Sequence, residues 1–185
     1  MTNDHDQTPS RRPPAEPVPP FSSRRPRFDR VHVAETPNCG LGVFSDTPIL
    51  AGHAVGQVHG NVMPGDYRSR YCVGFAGAVL EPEPPYRFLN HSCRPNCEFV
   101  EWEIQNEDEG AEVEKIYELW VHALRDIQKG EELTIDYAWD WQSAIPCQCG
   151  APDCRGWICK MDELEICRRQ RGAPASYRED ADRES

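Results

Sequence analysis

Three cysteines within eight residues, Cys147-Gln-Cys149-Gly-Ala-Pro-Asp-Cys154, constrain this chain more than any other feature. Thiolates this close together, punctuated by Gly and Pro, suit a tight turn around a tetrahedral Zn²⁺. The competing reading is three unrelated buried thiols. A structural zinc takes four ligands, so one comes from elsewhere: Cys159 is near in sequence, and Cys93 and Cys97 lie in a second dense motif. The chain holds nine cysteines, an odd number that cannot all pair within one chain. No segment approaches the roughly 20 apolar residues that span a bilayer, and the N-terminal MTNDHDQTPSRRPP lacks the apolar stretch of a signal peptide. The expectation is a reducing compartment and no membrane, where clustered cysteines are metal ligands rather than disulfides.

A length of 185 residues fits one domain with tails. Only 38% of the residues are hydrophobic, so part of the chain lies outside a core. Acids outnumber bases 31 to 20, a formal charge of −11. That balance argues against broad binding to a phosphate backbone, and no direct nucleic-acid contact is expected. It fits a basic partner such as a Lys/Arg-rich peptide, although solubility alone also makes chains acidic.

Residues 1–27 are rich in Pro, Arg, Ser and Asp and read as a disordered tail. Their arginines (Arg11, Arg12, Arg24, Arg25, Arg27) form either a basic arm or a solvated segment. From Phe28 the pattern changes. Phe28 to Val33 alternates as a strand, a glycine turn at Cys39-Gly-Leu-Gly-Val-Phe44 enters another, and Ile49 to Val62 is cut into short pieces by Gly52, Gly56 and Gly60. Tyr71 to Leu80 is β-prone, and Glu81 to Pro85 is a proline-rich turn. Glu98 to Ile104 and Glu114 to Leu124 read as a hairpin with an acidic tip, Gln105 to Gly110. Glu132 to Tyr137 is a further short strand. Lys160 to Arg171 reads as the one helix, with Met161, Leu164 and Cys167 on its apolar face. Short strands, few helices and much Gly and Pro give a mostly-β domain.

Two further motifs carry chemistry. Arg87-Phe-Leu-Asn90-His91-Ser92-Cys93-Arg-Pro95-Asn96-Cys97 crowds small polar groups that hold backbone in irregular turns and can present amides and carbonyls to a ligand. It contains no nucleophile–base pair, which argues against hydrolases. Gly130-Glu-Glu-Leu-Thr-Ile-Asp-Tyr137 ends a short strand on a tyrosine.

Taken in order, these motifs resemble the SET domain, the β-rich family of protein-lysine methyltransferases, followed by its post-SET zinc motif. The resemblance covers about residues 28–160. It rests on Gly40-Leu41-Gly42, on Ile49, Gly52, Val55 and Gly60, on Arg87 to Cys93 with Pro95-Asn96, on Gly130 to Tyr137, and on Cys147-x-Cys149-x4-Cys154-Arg-Gly-Trp157. It implies several small β-sheets with a pseudoknot-like threading of the C-terminal segment. The partition it implies is a SET domain over 28–143, a zinc-bound post-SET segment over 144–160, and a short helix and polar tail over 161–185.

The resemblance also implies S-adenosyl-L-methionine in one cleft and a lysine in an opposite groove. Gly40, Leu41, Gly42, Arg87, Asn90, His91, Tyr137 and Trp157 become the cofactor-binding candidates, the two glycines admitting close backbone approach and Trp157 offering an apolar face to the adenine. Tyr137 would sit beside the methyl group and the amine, and Tyr71 is either the family's second catalytic tyrosine or core. By the same analogy Cys93 joins Cys147, Cys149 and Cys154 on Zn²⁺, with Cys159 as competitor. Arg87 and Glu132 are a candidate ion pair bracing the knot, or else surface charges. Ile135, two residues before Tyr137, has no hydroxyl to hold a water and leans toward di- or trimethylation.

The expected partner is a lysine-bearing protein, such as a histone or histone-like tail, acted on by a monomer. The rival readings are a catalytically silent SET domain that serves as a binding scaffold and a small zinc module without a cofactor. The 60–87 stretch is short for the family, and the expectation is a stand-alone catalytic unit. Arginine far exceeds lysine, which appears only at 115, 129 and 160, a bacterial tilt. The protein is then cytoplasmic, or nuclear and chromatin-associated if the source is eukaryotic or viral. Residues 98–118 hold nine acids against one lysine, hence −8, and form either a solvated hairpin or an acidic wall that attracts a basic substrate.

Overall fold

A computed structural model describes residues 30–37, 39–105 and 115–172. The expected N-terminal tail, the acidic hairpin tip and the polar C-terminal end lie outside the described residues.

The described chain is mostly β, in four small sheets. β1 (Val31–Thr36) and β2 (Gly40–Ser45) form a hairpin whose end pair is Thr36 and Gly40. The Thr36 hydroxyl accepts the Cys39 N–H at 3.0 Å and donates to the Gly40 carbonyl at 3.1 Å. Gly40 turns the chain at φ +77°, a left-handed conformation that glycine adopts without a steric penalty.

β3 (Ala54–Val58) and β4 (Gly60–Met63) are the short pieces between the expected glycine breaks. The expected strand from Tyr71 to Leu80 is instead a hairpin, β5 (Val73–Phe75) and β6 (Ala78–Pro82). It reverses at Ala76 and Gly77, both at positive φ. Continuous apolar character hid this turn, because Ala76 carries no polar turn signature. β6 runs on to Pro82, which shortens the expected proline turn to Glu83–Pro85.

β7 is the pair Asn90–His91. β8 (Cys97–Gln105) and β9 (Lys115–Ala123) form the long expected hairpin, in register from Cys97↔Ala123 to Gln105↔Lys115. Alternation on β9 sends Leu119, Val121 and Ala123 into the main core. β10 (Glu132–Ile135) lies between β2 and β7, antiparallel to the first and parallel to the second. A parallel neighbour requires a crossover, and the β8–β9 excursion supplies it. This is the expected threading: residues 132–137 pass alongside the Asn90–His91 knot.

Asn96 pins that passage. Its side chain is 1% exposed and fully used: Oδ1 accepts the Thr134 N–H at 2.8 Å, and Nδ2 donates to the Glu132 carbonyl at 2.8 Å and to Glu131 Oε1 at 3.0 Å. A buried amide with every group paired fixes one register of β10 and no other.

After β10, β11 (Ile145–Pro146) and β12 (Trp157–Ile158) pair across the base of the cysteine turn. A 3₁₀ turn, Met161–Glu163, leads into α1 (Leu164–Arg171), which Gly172 ends at φ +76°. Leu164 and Cys167 point into a second core cluster with Ala144, Trp157 and Cys159. Met161 does not join them and is 64% exposed, because it falls on the 3₁₀ turn, whose period differs from that of the helix. No helix among the described residues is long and apolar enough to cross a membrane.

Candidate active site

The site is built where β2, β7 and β10 meet. The Asn90 side chain donates to the Leu41 carbonyl at 3.0 Å and to Glu132 Oε1 at 2.8 Å. Gly42 faces this bracket. A Cβ there would sit 2.6 Å from Glu132 Oε1, 2.6 Å from Thr36 Cγ2 and 3.1 Å from Asn90 Nδ2. Within the chain itself, then, Gly42 is a glycine because three side chains already fill its space.

His91 is buried, and burial pushes its pKa down to about 4, against the opposing pull of Asp136 and with the help of Arg155. Its neutral ring accepts the Tyr137 N–H at Nδ1, 3.2 Å away. The proton therefore sits on Nε2, which faces Cys93 Sγ at 3.4 Å. Asp136 is gripped by Arg155 through two bonds, of 2.8 and 2.7 Å, the planar fork that Arg presents to a carboxylate.

Tyr137 donates its hydroxyl to the Leu89 carbonyl at 2.8 Å. Burial pushes its pKa up to about 12, with Cys39, Tyr71 and Glu132 adding to the effect. Tyr71 is thus within electrostatic reach of Tyr137, and it stands edge-on to Phe88 at 6.4 Å. The Tyr137 ring touches two others, His91 at 5.4 Å and Trp139 at 5.3 Å. These two neighbours line different depressions. His91 belongs to a polar cleft with Thr36, Cys39, Asn90, Glu132 and Gln148. Trp139 belongs to an open groove whose walls are the 65–74 segment and Ala138 to Ser143. Tyr137 stands between them.

The fold brings four of the cysteines together. Cys93, Cys147, Cys149 and Cys154 place their sulfurs within 4.8 Å of one another, Cys93 lying 3.6 Å from Cys147 and 3.8 Å from Cys154. A Zn²⁺ with bonds of about 2.3 Å to four sulfurs gives tetrahedral edges of about 3.8 Å, so the donor set fits that ion. Backbone amides support it: the Cys93 N–H points at Cys149 Sγ, Arg155 N–H at Cys93 Sγ and Gly156 N–H at Cys154 Sγ, each at 3.4 Å. Burial raises the Cys149 pKa, but the Cys93 and Ala151 amides outweigh it and hold it down to about 7, toward the thiolate a metal needs. Cys159 is fully buried in the second core with Cys167. Cys97 is fully buried in the main core, which pushes its pKa up to about 12.

One sequence expectation changes: Arg87 does not pair with Glu132. Its guanidinium lies over the Tyr71 ring at 4.4 Å and reaches Glu81 Oε1 at 3.5 Å, while Glu132 is taken by Asn90. Trp157 lies across the base of the cysteine turn, opposite Pro146. It is 6% exposed in the second core, with the Arg171 guanidinium over its ring at 6.0 Å, so its indole packs against protein. At the β1–β2 edge, Thr36, Pro37 and Cys39 line the cleft in place of Gly40 and Leu41. Asn90 and His91 line the polar cleft, Tyr137 packs on the His91 ring, and Tyr71 lies against Phe88 beneath Arg87. Arg155, Thr134 and Gln148 were missed, and their positions next to named motif residues were the available signal.

A strand threaded between two others, a tyrosine in ring contact with the lining of a polar cleft and of an open groove, and a cluster of four thiols make up the site. Residues 40–138, more than half of the chain, match the SET domain, and the chain belongs to that family. It is 30% identical over 142 residues to histone-lysine N-methyltransferase ash1 of Drosophila melanogaster, covering 66% of this chain and 6% of that protein. It is 45% identical over 73 residues to the H3 lysine-4 specific histone-lysine N-methyltransferase of Schizosaccharomyces pombe, covering 39% of this chain and 7% of that protein. The chain thus spans only a small fraction of these curated relatives. Among solved structures, KRYPTONITE in complex with mCHG DNA and SAH shares the fold, with a TM-score of 0.55 and 24% identity over 69% of this chain and 28% of that one.

Proposed function

We propose that the protein is an S-adenosyl-L-methionine-dependent protein-lysine N-methyltransferase, acting on a lysine of a basic protein or a histone-like tail. The observation that carries this reading is the position of Tyr137, one ring contact from the polar cleft and one from the open groove. The relatives bear histone-lysine methyltransferase names, and a KRYPTONITE structure holds an H3(1–15) peptide together with SAH.

The fit of the cofactor rests on the cleft itself. Asn90, Glu132, Thr36 and Gln148 offer it amide, carboxylate and hydroxyl groups. Held there, S-adenosyl-L-methionine would supply an electrophilic methyl group, its sulfur the leaving group, to the lone pair of an amine. The chain's own work is positional. Tyr137 commits its proton to the Leu89 carbonyl, so its oxygen keeps lone pairs that can accept an N–H of the lysine and aim the amine. With its pKa pushed up to about 12 it stays a phenol and takes no proton. The amine enters as the free base, a form favoured by apolar walls such as Val73 and Trp139, and its proton leaves to water. Zn²⁺ held by Cys93, Cys147, Cys149 and Cys154 would supply a cross-link between the Asn90–His91 knot and the segment after Tyr137. Ile135, without a hydroxyl, favours di- or trimethylation.

The test is transfer of labelled methyl from S-adenosyl-L-methionine to a mixture of basic proteins, with Tyr137→Phe as control and cofactor binding followed by calorimetry. Transfer to lysine that falls in the variant supports the reading. Binding without transfer, or no binding by zinc-loaded protein, leaves a silent SET scaffold.

A further inference from the structure

The groove beside Tyr137 is not charged as a site for a basic tail would be. Its charged lining residues are Arg68, Arg70, Lys160 and Asp140. Lys160 and Asp140 cancel, paired to each other, with Glu163 at 3.8 Å from the ammonium. That leaves two arginines on one wall. Among the described residues neither has a carboxylate partner, although the chain carries 31 acids to 20 bases. Arg68 is held in place: its Nη1 donates to the Gly65 carbonyl at 3.0 Å and the Tyr67 carbonyl at 2.7 Å. Those bonds leave Nε and Nη2 unengaged on a guanidinium whose position is already set, the preorganised fork that suits a carboxylate. The carboxylates of β8, among them Glu98, Glu101 and Glu103, do not line this groove.

We propose that Arg68 and Arg70 select substrates carrying an aspartate or glutamate within a few residues of the target lysine. This rests on the lysine-methyltransferase reading and names its substrate class: a lysine with an acidic neighbour, even where the protein around it is basic.

The experiment uses the full chain loaded with zinc, S-adenosylhomocysteine, and fluorescent peptides of about a dozen residues. Each has a central lysine in a Gly/Ser/Ala background, with Glu, Gln or Arg placed on both sides of it. Anisotropy should rank the peptides Glu tightest, then Gln, then Arg, with Glu about tenfold tighter than Gln. The Arg68→Glu/Arg70→Glu double variant should reverse the order. Both positions are exposed, so its melting temperature should match the parent's. An Arg-flanked peptide binding best to the parent, no binding of any peptide, or an unchanged order in the variant would overturn the proposal. Turnover of the same peptides separates the two readings. The expected binding order with no methyl transferred removes the methyltransferase reading and leaves the groove assignment. Transfer that is fastest on the Arg-flanked peptide does the opposite.

Discussion

Arg155 and Asp136 join the zinc knuckle to the strand that ends at Tyr137. Two bonds of 2.8 and 2.7 Å connect them across 19 residues of sequence, while the Arg155 amide points at Cys93 Sγ. The Arg155 side chain is 5% exposed and that of Asp136 is 32% exposed. Replacing Arg155 with Met should lower stability by about 1–3 kcal/mol, less than for a fully buried pair because water reaches Asp136. Loss of the tether should also lower kcat more than cofactor affinity. Thermal melts, calorimetry and steady-state kinetics on the zinc-loaded variant check this.

Two glycines in one hairpin should respond differently to alanine. At Gly42 the new Cβ meets Glu132, Thr36 and Asn90, so Gly42→Ala should displace the Asn90 bracket, cost about 1–3 kcal/mol and weaken S-adenosyl-L-methionine binding. At Gly40 nothing lies within 4 Å and only the φ of +77° resists, so Gly40→Ala should cost about 1–2 kcal/mol and leave cofactor affinity near the parent's. Titration calorimetry with both variants separates them.

The raised pKa of Tyr137 has a sign that can be checked. An ordinary tyrosine titrates near 10, whereas burial pushes this one up to about 12. Between those values the unfolded chain has released a proton that the folded chain still holds. The stability contribution is therefore intact below about pH 10 and lost as pH rises toward 12. Denaturant midpoints compared at pH 9 and 11 should fall less in Tyr137→Phe than in the parent. The same variant should lose about 10²-fold in kcat, with no phenol limb in the activity profile between pH 7 and 9.

Zinc content distinguishes the buried thiols from the clustered ones. Cys93→Ser should lose stoichiometric zinc and activity together, and chelation of the parent should do the same. Cys159→Ser should keep its zinc, because that sulfur packs with Cys167 in the second core. Metal analysis of the purified variants is sufficient.

Asn96→Ala removes three strong bonds at once and strands the Thr134 amide without an acceptor. The expected cost is about 2–4 kcal/mol, visible as a lowered melting temperature, and cofactor affinity should drop with it because β10 loses its register.

Much of the site was legible because its chemistry is carried by residue types packed into short motifs. Asn90, His91 and Tyr137, and three of the four thiols, could be named from spacing and resemblance. The fourth thiol needed the resemblance, since the spacing alone left Cys93, Cys97 and Cys159 open. What stayed hidden depends on register and on long separations. Nothing local in Arg155 announces Asp136 as its partner, and nothing in Arg87 tells that Tyr71 and Glu81, rather than Glu132, will receive it. The burial of Trp157 stayed hidden for the same reason: its motif marks the knuckle, while the α1 residues that pack with it come later in the chain. The β5–β6 turn was lost because its glycine, Gly77, stands in a continuous apolar run and its partner Ala76 at positive φ carries no turn signal of its own.

The β8–β9 hairpin leaves and re-enters the threaded knot at one point: Cys97 faces Ala123 in register, and the Leu124 amide closes on the Asn96 carbonyl at 2.8 Å. The excursion therefore begins and ends on one clamp. The crossover that parallel β7 and β10 require is closed at its base, so the ladder running out to Gln105 and Lys115 takes its register from the knot itself.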